Sequence, residues 1–201
     1  EILVVDLHEF IKSIHSNYAD PYLPFFSMVK GELHFNGLVL FKDYKLIHRF
    51  KLNEAKLFDF LTGQMNYHEV FSLQKLHLNL GLVNSDVKFQ VNNEEKKIKI
   101  SMKFRGIINE YQGFKDLTIE KKQLEHKSDI QSDIKKSMEE LIQTLQSNRV
   151  DPLKIGLYTK GVFSEPYKDG KWKDVWPEYN VELIVELDIK DYGTYQRRGS
   201  F

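Results

Sequence analysis

The sequence contains no cysteine in its 201 residues, which excludes disulfides, thiolate nucleophiles and cysteine-bound metals. Its formal net charge is zero, from 29 basic and 29 acidic residues, so no overall field attracts nucleic acid or an anionic membrane. Its longest apolar stretches, such as residues 35–41, are far shorter than the roughly 20 residues that span a bilayer. With only 5 prolines and 41% hydrophobic residues, the composition predicts a folded globular chain.

Catalytic signatures are also absent. No HExxH metal motif, GxSxG nucleophile elbow, phosphate-binding glycine loop or dinucleotide fingerprint occurs. Acidic doublets at 94–95 and 139–140 fall at a predicted turn and on the polar side of a predicted helix, whereas glycosidase chemistry requires two carboxylates that converge. The basic doublets at 121–122 and 197–198 lack interleaved aromatic residues. The sequence therefore predicts no metal, no cofactor and no nucleic-acid partner.

The first quarter of the chain predicts a short helix, a connector and a hairpin. Asp6 is a suitable N-cap for an amphipathic helix, and residues 22–26, flanked by prolines, are expected to form a connector. If Lys42–Asp43 is a two-residue turn, Gly37 lies opposite His48 on a largely apolar hairpin face. His48 is therefore predicted to be a packed core residue, since glycine leaves room for the imidazole.

The middle of the chain predicts a helix over 53–62 and then antiparallel strands, because apolar and polar residues alternate. A hairpin centred on Glu94–Glu95 pairs Val91 with Ile98 and keeps the apolar residues of both strands on one face. Apolar residues at spacings of three and four then predict a long amphipathic helix over about 123–147.

The last quarter predicts a strand over 155–163, a turn at 169–170 and an alternating strand over 181–189. The expected fold is α+β, with antiparallel or mixed β-sheets and the helix at about 123–147 packed on one apolar face. The predicted domains are residues 1–28, as the tail of a preceding domain, and residues 29–201, as a C-terminal α+β domain.

Two local patterns carry more information than the rest. Asp151 and Pro152, followed by Gly156, bracket the exit from the long helix, which a helix stop before a close-packed strand explains. Trp172 and Trp176 stand four residues apart before the last strand. Paired tryptophans either form a ligand platform or pack a loop onto the core.

These patterns, in their order and spacing, resemble the C-terminal part of the C subunit of nutrient germinant receptors, the Ger(x)C family of spore germination lipoproteins. The resemblance over 134–195 rests on the long helix, the Asp151–Pro152 and Gly156 motif, both tryptophans and a strand ending near Gly193. Upstream, it rests on three further segments: 20–24, then 37–42 with 45–46, and 61–63. Val39 departs from the pattern, since family members usually have a small residue at its position.

The resemblance implies a subunit without catalytic activity, anchored by a lipid to the outer face of the spore inner membrane. The anchor would lie upstream of this chain, and the partners would be the integral-membrane subunits of the same receptor. Asp151, Pro152, Gly156, Trp172 and Trp176 are then the candidate family-motif residues or partner surface.

The expected function is receptor assembly or signal coupling. The alternative is a module that binds an amino acid or sugar and senses the germinant directly, with Trp172, Trp176 and Tyr167 or Tyr179 around a pocket. An enzyme ranks third, because no catalytic constellation supports it.

Overall fold

The computed structural model describes residues 5–63, 69–113, 116–117, 119–161, 166–167 and 171–192. Within them the chain forms a three-stranded and a four-stranded β-sheet, flanked by helices. In chain order the elements are α1 (Leu7–Ile14), β1 (Tyr22–Val29), β2 (Glu32–Lys42), β3 (Lys45–Lys51), α2 (Leu52–Thr62), β4 (Glu69–Leu73), β5 (Leu78–Asn92), β6 (Lys97–Tyr111), α3 (Glu120–Ser147), α4 (Lys171–Val175) and β7 (Asn180–Asp191).

The smaller sheet is antiparallel, in the order β1-β2-β3. Residues 22–26 belong to β1, so the predicted connector is wrong. Pro24 is compatible with a strand here because β1 lies at the sheet edge, where one side of its backbone needs no ladder partner.

The turn between β2 and β3 lies one residue later than predicted. Its central residues are Asp43 and Tyr44, with φ of 48° and 63°, which is a type I′ turn that places Lys42 opposite Lys45. A tyrosine with positive φ is uncommon, so Tyr44 gives no sign of this turn in the sequence.

The predicted pairing of Gly37 with His48 is therefore wrong. A register shift after Leu40 places His48 opposite Leu40, where its ring packs half-buried at 4.8 Å from the Phe50 ring. Gly37 has φ of +144°, and a Cβ on it would lie 1.9 Å from the backbone oxygen of Phe50. The glycine permits close approach of β3 and does not make room for the imidazole.

The larger sheet has the order β4-β5-β6-β7. The predicted register of β5 with β6 is confirmed, with Val91 opposite Ile98. β7 runs parallel to β6 along most of its length, so this sheet is mixed. A parallel neighbour needs a long crossover, and α3 is the longest helix within it.

Helix α3 begins at Glu120, three residues before the predicted start, and ends at Ser147 as predicted. It packs against β7 and α2. Its buried apolar residues form one stripe that faces the sheet: Ile130, Ile134, Met138, Leu141, Ile142 and Leu145. The predicted α+β class with a long helix on one sheet face is confirmed.

The predicted strand over 155–163 is wrong in its first half, since Ile155–Thr159 is a 3-10 helix. The predicted turn at 169–170 lies outside the described residues. The predicted domain boundary, between positions 28 and 29, falls inside β1, which pairs with β2 on both sides of it. The division into two domains stays a prediction.

Candidate functional site

The five residues that the sequence singles out meet in the interior, between the end of α3 and the start of β7. We call them the Asp151 cluster: Asp151, Pro152, Gly156, Trp172 and Trp176. Asp151, Trp172 and Trp176 are each 0% exposed, and Pro152 and Gly156 are buried. All five are therefore interior residues in this structure. Their role at a partner or ligand surface stays a prediction.

The Asp151 carboxylate accepts three hydrogen bonds. Its Oδ1 accepts from the backbone N–H of Ile155 at 3.0 Å, and its Oδ2 accepts from that of Gly156 at 2.7 Å. The indole Nε1 of Trp172 donates to the same Oδ2 at 2.8 Å. One side chain thus holds the first backbone N–H groups of the 3-10 helix and the orientation of a tryptophan.

Burial raises the pKa of Asp151 from 3.8 to about 6. The three donated hydrogen bonds act against burial and favour the charged carboxylate, whereas the nearby charge of Asp20 raises the pKa further. Asp151 is therefore a buried acid whose pKa is raised above that of an exposed aspartate.

Gly156 and the two tryptophans fit closely together. A Cβ on Gly156 would lie 2.5 Å from both Cδ1 and Nε1 of Trp172, so only glycine permits this contact. The indole centroids of Trp172 and Trp176 lie 5.7 Å apart, and Trp176 Nε1 donates to the backbone oxygen of Val150 at 2.9 Å. Both indole N–H groups have acceptors, which accounts for their complete burial.

Tyr167 and Tyr179 complete the aromatic packing around Trp172. The Tyr179 hydroxyl donates to Asn93 Oδ1 at 3.1 Å, so Tyr167 is the donor in the 2.6 Å bond between the two hydroxyls. Burial raises the pKa of Tyr179. These aromatic groups are used in packing, which favours the structural interpretation of the tryptophan pair over a ligand platform.

Asp20 ties the N-terminal segment to the Asp151 cluster. Asp20 Oδ2 accepts from the backbone N–H of Asp151 at 2.8 Å, and Asp20 N–H donates to the Asp151 backbone oxygen at 3.0 Å. Lys173 Nζ lies 2.7 Å from Asp20 Oδ1, and the Asp20 side chain is 1% exposed. A second ion pair, from Lys154 to Glu9 at 2.6 Å, joins the same two regions.

Two of the cavities on the described surface have charged residues in their lining. One, of about 420 Å³, lies between α2, α3 and β4 and includes Glu54, Asp133 and Glu140. The other, of about 260 Å³, lies between α1, the β2–β3 turn and α4, with Lys173 and Asp20 in its lining. Within the described part of the chain, no three acidic or histidine side chains are grouped so as to hold a metal ion. None of its helices is both long and apolar enough to cross a membrane.

Residues 36–193 match the family model described as spore germination B3/GerAC-like, C-terminal. The chain belongs to this family. The sequence-based recognition of a germinant-receptor C subunit is confirmed at the level of family. No curated protein matches the chain.

The fold also matches that of a solved structure. The crystal structure of the GerBC protein superposes with a TM-score of 0.71 at 15% identity, covering 92% of this chain. The chain spans 61% of the GerBC chain. At this identity the comparison shows a common fold.

The GerAC-like region contains all five residues of the Asp151 cluster, whereas α1 and Asp20 precede it. Sequence reasoning found the acid and the tryptophans through their order along the chain. It missed Lys173 as a partner of Asp20, because the two are brought together only by the fold. The local sign in the sequence of the Asp20–Lys173 ion pair is that Lys173 lies between Trp172 and Trp176.

Proposed function

We propose that this chain is the C-terminal part of a non-catalytic lipoprotein subunit of a nutrient germinant receptor. The observation that supports this function is the GerAC-like match over residues 36–193. A lipid anchor upstream in the full-length protein would hold the subunit at the outer face of the spore inner membrane. Its partners would be the integral-membrane subunits of the same receptor, and its role would be receptor assembly or signal coupling.

The far end of the β1–β2 hairpin, residues 26–35, is the surface that we assign to this contact. Met28 and Leu33 face each other across the two strands and are 66% and 70% exposed. Behind them the rings of Phe26 and Phe35 lie 5.7 Å apart. An apolar surface of this kind is typical of an interaction site.

The geometry of the hairpin end supports this assignment. β3 pairs with β2 only from Gly37 onward, so residues 26–35 project beyond the sheet as a two-stranded ribbon. Lys30 and Gly31 form its turn, both with positive φ, which gives the ribbon a tight end. Such a projection can enter an apolar groove of a membrane subunit while the rest of the domain stays outside.

The test is a Met28→Glu/Leu33→Glu double variant of the full-length protein in spores. Capture of the receptor subunits from inner-membrane extracts is expected to fall at least about tenfold, because two charges replace the apolar contact. The control is Leu124→Glu on α3, since Leu124 is 61% exposed and lies far from the hairpin in sequence.

Unchanged capture together with unchanged germination in the double variant would rule out a role for the hairpin end. Loss of capture together with loss of germination indicates an assembly role. Retained capture with lost germination indicates signal coupling through this surface.

A further inference from the structure

The cavity of about 260 Å³ between α1, the β2–β3 turn and α4 has features of a small-molecule site. Its walls are mostly apolar and come from separate elements, with Phe10 and Ile14 from α1 and Phe41 from β2. The rings of Phe10 and Phe41 pack edge to face, with their centroids 5.9 Å apart. Pockets that bind small molecules combine walls of this kind with a few fixed polar groups.

The fixed polar groups here are Lys173 and Asp20. Lys173 is 18% exposed on its side chain, and its Nζ lies 2.7 Å from Asp20 Oδ1. The other Asp20 oxygen is held by the backbone N–H of Asp151, so the carboxylate cannot rotate freely. An ammonium has three donors, so Lys173 keeps donors for an acceptor within the cavity.

A second carboxylate, from Asp43, belongs to the same cavity lining. Asp43 is exposed and sits in the type I′ turn beside Tyr44. The cavity therefore presents a cation and a second anion to one small volume whose lining is mostly apolar. Tyr44, 78% exposed, lines the cavity from the same turn.

We propose that this cavity binds a small zwitterion with an apolar side chain, of the size of an aliphatic α-amino acid. The ligand carboxylate would take the Lys173 donors, and the ligand ammonium would face Asp43. A ligand with a carboxylate but no ammonium would place an uncompensated negative charge beside Asp20 and Asp43. A ligand with an ammonium but no carboxylate would offer no acceptor to the Lys173 donors. The cavity is below the usual range of about 300–1,000 Å³ for ligand pockets, so the ligand is small.

This site is separate from the Trp172–Trp176 pair and from the hairpin end at residues 26–35. A purified chain that binds no zwitterion but still depends on the hairpin end for capture of membrane subunits would overturn this inference alone. Ligand binding without any effect of the hairpin variants on capture would leave this inference standing.

Titration calorimetry on the purified chain tests the ligand class with L-leucine as the probe. Two analogues of leucine are titrated as controls. 4-Methylpentanoate lacks the amine of leucine, and 3-methylbutylamine lacks its carboxylate. Leucine is expected to bind at millimolar or lower concentration, at least about tenfold more tightly than either compound. Absence of binding by leucine, or equal binding by either compound, would overturn the proposal.

Two variants test the location. Ile14→Trp fills the cavity from its wall and is expected to abolish leucine binding, with Leu124→Trp on exposed α3 surface as the matched control. Asp43→Asn changes an exposed turn residue and is expected to weaken leucine binding about threefold or more while the unfolding midpoint stays unchanged. Leucine affinity unaffected by Asp43→Asn, or by a folded Ile14→Trp chain, would place any binding elsewhere and overturn the proposal.

Discussion

At the scale of single residues, the Asp151 side chain joins several parts of the interior. Its carboxylate is wholly buried and holds two backbone N–H groups and the Trp172 indole. Burial of the charge is costly, so the pKa is raised to about 6, although three hydrogen bonds favour the charged form. The residue therefore stabilises the local geometry at the cost of a pH-dependent free energy.

The raised pKa of Asp151 makes the stability of the protein depend on pH in a definite direction. Because the folded-state pKa of Asp151 lies above its ordinary value of 3.8, the folded protein binds a proton that the unfolded chain does not bind between about pH 4 and 6. The Asp151 contribution to the free energy of unfolding therefore falls as the pH rises through 6, by about 3 kcal/mol in total. In urea unfolding from pH 4 to 7.5, the free energy of unfolding of wild type is expected to fall relative to that of Asp151→Asn as the pH rises.

Asp174→Asn is the matched control, since the Asp174 side chain is 75% exposed and should leave the pH dependence of wild type unchanged. A wild-type-to-Asp151→Asn difference that is constant over the same pH range would contradict the raised pKa.

At the scale of elements, the end of α3 shows a motif that the sequence conceals. The N–H of Val150 bonds the Leu145 oxygen and the N–H of Arg149 bonds the Gln146 oxygen, which is the Schellman pattern. Arg149 has φ of 55°, at the position where glycine is usual. Val150 and Leu145, at the two positions whose apolar contact often accompanies this motif, are both fully buried.

Arg149→Gly is expected to stabilise the protein by about 1 kcal/mol, because glycine adopts positive φ without the steric cost that arginine bears. The lost ion pair, from Arg149 to Asp174 at 3.9 Å, is exposed on both sides and contributes little. Denaturant unfolding measures the change, with Arg149→Ala as the control that removes the same ion pair but keeps the strained backbone. A Gly variant no more stable than the Ala variant would contradict this account.

Elements whose pattern is local were predictable from the sequence. The β5–β6 register follows from alternation around one turn, and α3 follows from its apolar stripe. Ile155–Thr159 was not predictable, because the Asp151 carboxylate captures its first N–H groups and favours a 3-10 turn over a strand. The position of the turn at Asp43–Tyr44 was not predictable either, because strand pairing on both sides holds a tyrosine at positive φ.

The candidate sites also differ in how far the sequence alone could predict them. The Asp151 cluster was found as a pattern along the chain, but its complete burial required the fold to be known. The pairing of Asp20 with Lys173 and the cavity beside them depend on three distant segments that meet only in the folded chain.

At the scale of the whole molecule, the N-terminal residues outside the GerAC-like match are part of one packed unit with it. Asp20 bonds Asp151 and pairs with Lys173, Tyr18 is 3% exposed, and β1 forms one edge of the smaller sheet. A chain cut at the predicted domain boundary would lose all of these contacts.

A chain of residues 29–201 is therefore expected to lose cooperative unfolding, whereas residues 16–201 should keep it. Removal of Asp20 leaves the Lys173 ammonium buried without its partner, at a cost of about 3–5 kcal/mol, and removal of β1 exposes an edge of β2. Together these losses approach the whole stability of a typical domain, about 5–15 kcal/mol. Circular dichroism during urea titration measures the outcome, and a 29–201 chain with the parent's midpoint would show that the boundary at 28/29 is real.

The parallel pairing of β6 with β7 also determines when the protein can fold during synthesis. β6 leaves the ribosome early, but β7 begins only at Asn180, after α3 and the Asp151 cluster have been made. Until then one side of β6 has no backbone partner, and contacts so distant along the chain form slowly because a long loop must close first. A nascent chain that stops short of β7 therefore exposes a 15-residue strand that can pair with other chains, so aggregation is the expected fate of translation products that end early.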